Sequence, residues 1–435
     1  MKLFINRPNR RTVAQTSMSA VQVSKPARRA TSHDQPIWKS AIQQVWKPAL
    51  QFMPPMRLEF WLPLILTLAA GALSAAAQDT PLTLKDAFKD DFRIGAAINQ
   101  SQFEGGSPRE AQIIQSQFNA ISPENVLKWE SVHPAPGQFN FQDADQYVAF
   151  GQKNHMFIVG HNLIWHNQTP AWVFEDADGN PISREALIAR MRNHILTVVG
   201  RYKGKIGGWD VVNEALNEDG TLRNSPWRRI IGDDYLVLAY QFAHEADPSA
   251  QLYYNDYSLE NLPKRQGAIA LIKKLQSRGV RIDGIGLQEH DKMDWPSTNQ
   301  VDETISAFAR LGIKVMVTEL DIDLLPAATR SNSADISMSV AANAELNPYA
   351  SGLPDSLQQK LAQRYADLFS VFLAHRGQIS RVTFWGVTDA DSWLNNWPVP
   401  GRTSYPLLFD RDCNPKPAFA AVIHMASPMN SATRN

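Results

Sequence analysis

Eight short apolar runs, separated by stretches with helical spacing, limit what this chain can become. They are RIGAAI (93–98), FNAIS (118–122), MFIVGHN (156–162), IGGWDVVN (206–213), QLYYND (251–256), IDGIGLQ (282–288), KVMVTEL (314–320) and RVTFWGV (381–387). A strand with one wet face alternates polar and apolar residues. A near-continuous apolar run suits a strand covered on both faces, as in a parallel sheet. The helical stretches between them have readable ends. Ser183 can cap a helix carrying Leu187, Met191, Ile195 and Val198 on one face, with Gly204 to stop it. Asp355 or Ser356 can cap another, with Leu357, Leu361, Tyr365, Leu368 and Phe372 on one face, up to Gly377. Eight such units predict a single (β/α)8 TIM barrel of the α/β class. An open doubly wound sheet is the alternative, but no G-x-G-x-x-G turn follows the first run.

The formal charge of zero hides an asymmetry. Up to Arg57 there are 10 Lys and Arg and one acid, Asp34, whereas the remainder carries 33 basic and 42 acidic residues. A body of that sign argues against nucleic acid as a partner. From Met56 the sequence reads MRLEFWLPLILTLAAGALSAAAQ: a basic residue, a long apolar run, then Ala75-Ala76-Ala77. That is the order of a secretory signal with an A-x-A cleavage site. A membrane anchor is the competing reading, because Phe60 to Ala77 nearly reaches spanning length. Small residues at its end and Pro63 near its start favour cleavage, and no stable membrane association afterwards. The expected organisation is a basic leader over 1–55, a signal peptide over 56–77, a catalytic barrel over 78–427 and a frayed tail over 428–435. The leader reads either as disordered or as the product of a start codon assigned too early. A secreted or periplasmic monomer is expected. The lone Cys413 excludes an intramolecular disulfide, which a core of this size can do without.

In a barrel the residues at the C-terminal strand ends line the mouth. The ends of these eight runs collect an unusual set. After the second come Glu124, Asn125, Lys128 and Trp129; after the third, His161, Asn162, Trp165, His166 and Gln168. The fourth ends in Asn213-Glu214, and the fifth in Asn255, Asp256 and Tyr257. The sixth gives Gln288, Glu289 and His290; the seventh, Glu319 and Asp321; the eighth, Trp385, Asp389, Asp391 and Trp393. Amides and carboxylates hydrogen-bond hydroxyl groups, and indole faces stack on the C–H faces of sugar rings. Any one of these residues alone has a bland reading as a surface or core residue; the collection does not. Glu214 and Glu319 end runs three apart in a ring of eight, so they face each other across the mouth. Two facing carboxylates are what glycosidic cleavage needs, one to protonate the leaving oxygen and one to attack or to activate water. Metal-dependent hydrolysis is the competitor, but no H-E-x-x-H stands in the sequence and metal binding gives no reason for the tryptophans. No G-x-S-x-G supports a serine nucleophile.

The blocks SPENVLKWE (122–130), GHNLIWHNQTPAW (160–172), WDVVNEALN (209–217), YYNDYSLE (253–260), IDGIGLQEH (282–290), VTELDID (317–323) and PLLFDRDCNPKPAF (406–419) resemble the signature blocks of glycoside hydrolase family 10. These are retaining endo-β-1,4-xylanases on a (β/α)8 barrel. The resemblance runs from about Leu82 to about Met425, with the blocks in order. It implies xylan and xylo-oligosaccharides as substrate, no cofactor and no metal. It implies Glu214 as acid/base and Glu319 as nucleophile, with Asn213 on the sugar 2-hydroxyl and His290 and Asp321 around Glu319. Lys128, His161, Trp165, Gln288 and Trp385 would line the subsite of the attacked sugar, with Gln168 close by. Glu124 and Asn125 would hold the next sugar on the non-reducing side, roofed by Trp393. Tyr257 would stack on the leaving-group side, near Asn255. Two other functions share these features: a barrel preferring β-1,4-glucan or aryl cellobiosides, and a catalytically silent xylan-binding protein. Glu289 stands where the family more often has a small residue. The N-terminal sequence of secreted material is expected to begin at Gln78; a start at Met1 or Met56 would show that Ala77 is not the cleavage site.

Overall fold

The structure is a computed structural model that describes residues 82–328 and 333–426. The expected leader, signal peptide and tail lie outside these residues. Among the described residues nine strands form: β1 (Arg93–Ile98), β2 (Ala120–Pro123), β3 (Phe157–Ile164), β4 (Gly208–Asn213), β5 (Gln251–Asp256), β6 (Gly284–Leu287), β7 (His290–Lys292), β8 (Lys314–Asp323) and β9 (Ile379–Phe384). All their pairings are parallel. The sheet runs β6-β5-β4-β3-β2-β1-β9-β8, and β6 pairs back with β8 to close an eight-stranded ring. Helices alternate with these strands, which makes the described body a (β/α)8 barrel. Every residue of β2 and β4 is buried, as their largely apolar sequences require when one face meets the barrel interior and the other the helices. No helix among the described residues is long and apolar enough to cross a membrane.

The helix ends follow the sequence at one site and depart from it at another. Ser183 Oγ accepts the amide of Ala186 at 3.2 Å and opens the helix Arg184–Arg201. The second helix spans Asp355–Ala374, but its cap is Pro354, so Asp355 and Ser356 are already helical. The fixed φ of proline brings the chain in at −59°, and the Pro354 carbonyl accepts the amides of Leu357 and Gln358, so no side-chain cap is made. That helix ends at His375, ahead of Gly377.

The extra strand β7 continues the lane of β6. Leu287 pairs with Val317, whereas His290 pairs with Asp321, so β8 carries one residue more than its neighbour across the gap. The gap is Gln288-Glu289, and Glu289 has a φ of 54°, which a non-glycine residue seldom adopts. The kink sends Gln288 and His290 into the mouth and turns Glu289 inward. Glu289 is 2% exposed, and no N–H or hydroxyl donor reaches either of its carboxyl oxygens. Its neighbours are the buried carboxyls of Glu260 and Asp291, and the Asp291 carboxylate is paired with Arg364 Nη2 at 3.2 Å. Carboxyls can hydrogen-bond one another only if protons are held between them. Burial, then the Asp291 charge, pushes Glu289 well above its ordinary 4.5. The folded chain therefore keeps a proton that the unfolded chain loses, and stability declines as pH rises above that ordinary value. Glu289→Gln cannot ionise, so it should raise the melting temperature more at about pH 8 than at about pH 5. An equal shift at both pH values would mean that Glu289 carries no proton.

Candidate active site

The C-terminal strand ends open into a cleft lined by polar and aromatic side chains. Its wall includes Glu124, Asn125 and Lys128 after β2; His161, Trp165 and Gln168 from β3 and its loop; and Asn213-Glu214 from β4. Gln288 and His290 from the broken β6–β7 lane, Glu319 from β8, and Trp385 and Trp393 after β9 complete the expected set. Three of the expected residues do not line this wall. Asp321 is buried behind His290, and Asn255 is fully buried behind Glu319. Tyr257 is 2% exposed, with Lys264 Nζ 3.4 Å from its ring centroid, so its ring is closed off on that side.

Glu214 directly follows β4 with a φ of 55°, a conformation that costs energy and that structures tend to keep at working sites. The Trp165 indole N–H donates to its Oε2 at 2.8 Å. Oε1 accepts the Asn213 amide at 3.0 Å and the Gln288 amide at 3.1 Å. Burial and, after it, the negative charge of Asp256 outweigh the Gln288 and Trp165 hydrogen bonds, with Glu319 adding to the rise, and Glu214 is pushed up to about 7.

Glu319 is tuned the other way. Burial alone would raise it, but the His290 hydrogen bond, the His161 and His290 charges and the Asn255 amide together hold it below its ordinary value. His290 Nε2 lies 3.1 Å from Glu319 Oε2, and its Nδ1 lies 3.1 Å from Asp321 Oδ1. Burial opposes the charged imidazole, yet Asp321 and Glu319 together lift it to about 10. His290 is thus an imidazolium donating to both carboxylates at neutral pH. Trp393 pins Asp321 from the far side through an indole N–H bond of 2.6 Å.

The two carboxyls are joined by a pair of amides. Asn213 Nδ2 donates to Glu214, Asn213 Oδ1 accepts from Asn255 Nδ2 at 3.0 Å, and Asn255 Nδ2 also reaches Glu319 Oε1 at 2.8 Å. Thr318 Oγ donates to Asn255 Oδ1 at 2.7 Å and fixes the amide's orientation. Gly286 makes room: a Cβ there would lie 2.2 Å from Asn255 Oδ1 and 2.7 Å from a Thr318 methyl.

On the β2 side, Lys128 is buried, with Nζ 2.8 Å from Gln168 Oε1, 3.1 Å from Asn125 Oδ1 and 5.0 Å from the Trp165 ring centroid. Burial lowers its basicity against the pull of Glu319, Glu124 and Glu214. Three residues were not read from the sequence. Asp210, mid-strand in β4, holds His161 Nδ1 at 2.9 Å; a lone acid within an apolar run was its signal. Arg223 reaches the Glu214 carbonyl at 3.2 Å, the Tyr257 hydroxyl at 3.0 Å and Asp335 at 3.3 Å. Ile336, also on the wall, belongs to a loop whose course no local pattern gives away.

One carboxyl protonated near neutrality, facing one held ionised, can give a proton and a nucleophile to the same bond. Comparison with known proteins bears on which bond. Residues 83–425 match the model of Glycosyl hydrolase family 10. The chain belongs to this family. It is a glycoside hydrolase. Endo-1,4-beta-xylanase A of Xylanibacter ruminicola is 44% identical over 353 residues, covering 81% of this chain and 95% of that protein. Beta-1,4-xylanase of Dictyoglomus thermophilum is 40% identical, covering 83% and 96%. A solved family 10 endoxylanase from a sugarcane soil metagenome superposes with a TM-score of 0.77 at 46% identity, covering 79% of this chain and 99% of that one.

The pH dependence of kcat/KM tests the tuning of Glu214. Activity should fall on the alkaline side as Glu214 loses its proton near 7. The Trp165 bond favours the ionised form, so Trp165→Phe should move that limb to higher pH. A limb displaced to lower pH would contradict the assignment of this bond.

Proposed function

We propose that the chain is a secreted retaining endo-β-1,4-xylanase acting on xylan and xylo-oligosaccharides. The observation that carries this reading is the opposite tuning of two amide-linked carboxyls, Glu214 raised and Glu319 lowered. The xylanase names of its relatives supply the substrate class. Secretion rests on the signal-like stretch from Met56.

The mechanism follows from the charge states. Glu319 attacks the anomeric carbon while Glu214 gives its proton to the departing xylosyl oxygen, leaving a glycosyl ester on Glu319. Esterification removes the Glu319 charge, one of the effects that raise Glu214. The Glu214 pKa then falls, so it stays ionised after giving up its proton; as general base it takes a proton from water, and the resulting hydroxide releases the sugar with its configuration retained. His290, charged and held by Asp321, keeps Glu319 ionised and aimed before attack. Asn213 meets the 2-hydroxyl, and Lys128, His161, Gln288 and Trp385 surround the same sugar. Glu124 and Asn125 hold the next one under Trp393. Tyr257, braced by Arg223, backs the leaving-group side. Asn255 acts through Glu319 and Asn213.

Glu319→Gln should lose on the order of 10⁴-fold in kcat on every substrate. Glu214→Ala should still form the ester from an aryl xyloside with a good leaving group, and azide should speed its turnover. A Glu214→Ala enzyme fully active on xylan, or the inverted α-anomer as first product by NMR, would overturn the mechanism. Clearly faster hydrolysis of carboxymethylcellulose than of xylan would overturn the substrate.

A further inference from the structure

Asp391 lines the cleft and is absent from the roles assigned above. It follows β9, while Glu124 follows β2, and both strands flank β1. Glu214 and Arg223 follow β4, farther round the ring. Asp391 therefore stands at the glycone half of the cleft, away from the leaving group. Its side chain is exposed, but its position is built from buried parts. Gln102, 1% exposed, donates through Nε2 to Asp391 Oδ2 at 3.3 Å and to Glu110 Oε2 at 3.0 Å. The carbonyl oxygen of the Gln102 side chain accepts the Asn99 amide at 2.9 Å in a capping box, so the amide cannot turn over without losing that bond. Thr388 Oγ donates to Glu110 Oε1 at 2.7 Å from the β9 side.

This half of the cleft is negatively biased. Glu124 is pushed up to about 7 by burial, against the attraction of Lys128, with Asp391 and Glu110 adding to the rise. Glu110 is also raised, chiefly by burial, with Asp391 contributing. Lys128, a cation of this wall, is buried and shared among Asn125 Oδ1, Gln168 Oε1 and the Trp165 ring. Asp391 is thus the exposed acid of this wall, with no partner of opposite charge among the bonds that hold it. Hydroxyl groups of a neutral sugar can donate to such a carboxylate. A second carboxylate placed beside it gains no such bond and meets like-charge repulsion at short range.

We propose that Asp391 determines which side groups the glycone half admits: bare xylan and neutral branches such as arabinosyl are accepted, and uronic acid branches are turned away by charge. This inference rests on the xylanase reading above. Three probes separate charge from bulk: linear xylohexaose, and the same hexaose carrying on its glycone half either an arabinosyl or a glucuronosyl group. The wild-type chain should cleave the glucuronosyl probe more slowly than the arabinosyl one, and raising the salt concentration should narrow the gap. Asp391→Asn should raise the glucuronosyl-to-arabinosyl ratio of kcat/KM about threefold to tenfold, and Asp391→Lys should raise it further. Both variants alter the Gln102 contact, so a merely structural role would not order them by charge. Equal rates on the two branched probes, a ratio indifferent to salt, or a ratio unmoved by the charge at 391 would each overturn the proposal. Failure to cleave the linear hexaose would instead sink the xylanase reading, and this inference with it.

Discussion

The run of hydrogen bonds Glu214–Asn213–Asn255–Glu319 is the contact on which the rest of this structure depends. Two buried carboxyls near each other repel when both are charged, and each is costly to desolvate. The amides let the pair coexist without a cation between them. Asn255 offers its N–H to Glu319, and Asn213 offers its own to Glu214, so each carboxyl receives a donor, while Asn213 Oδ1 accepts from Asn255 and Asn255 Oδ1 from the Thr318 hydroxyl. The difference in charge state then comes from what lies outside the bridge. Glu319 faces the His290 imidazolium and the His161 ring, and Glu214 faces neutral donors and the Asp256 carboxylate.

The barrel supplies this bridge by register. Asn213 pairs with Asn255 across β4 and β5, and Asn255 pairs with Gly286 across β5 and β6. Three adjacent strands thus deliver two amides and one missing side chain at a single level of the ring. Gly286 shows what the level requires, since any Cβ would strike the Asn255 amide. The same economy appears at the β6–β7 break. One extra residue in β8 lets Gln288 meet Glu214 while His290 meets Glu319. The kink also buries Glu289 among carboxyls, a local cost that accompanies the placement of its two neighbours.

The eight apolar runs were legible because strands covered on both faces are dominated by apolar residues. Their observed bounds shift by a few residues at most, as at Ala120–Pro123 and Ile379–Phe384. The strand-end residues were legible for a related reason: a polar residue closing an apolar strand is expensive unless the mouth uses it. Residues that act through another group were harder to read. Asn255 bears on the cleft from behind Glu319, and Tyr257 has its ring covered on one side. Asp210 and Arg223 sit in stretches where an isolated charged residue has several ordinary explanations. Neither Asp355 nor Ser356 caps its helix, because the preceding proline enters the helix without a side-chain bond.

By itself the sequence determined the barrel, the level at which its chemistry stands and the two carboxyls that face each other, because burial period and strand endings are local properties of the chain. Only the tertiary structure decided which carboxyl holds its proton. That depends on how deeply each is buried and on charges brought from strands far apart in sequence, such as His290 beside Glu319 and Asp256 near Glu214. Desolvation and Coulomb interactions are set by distance in space, and no spacing along the chain encodes them.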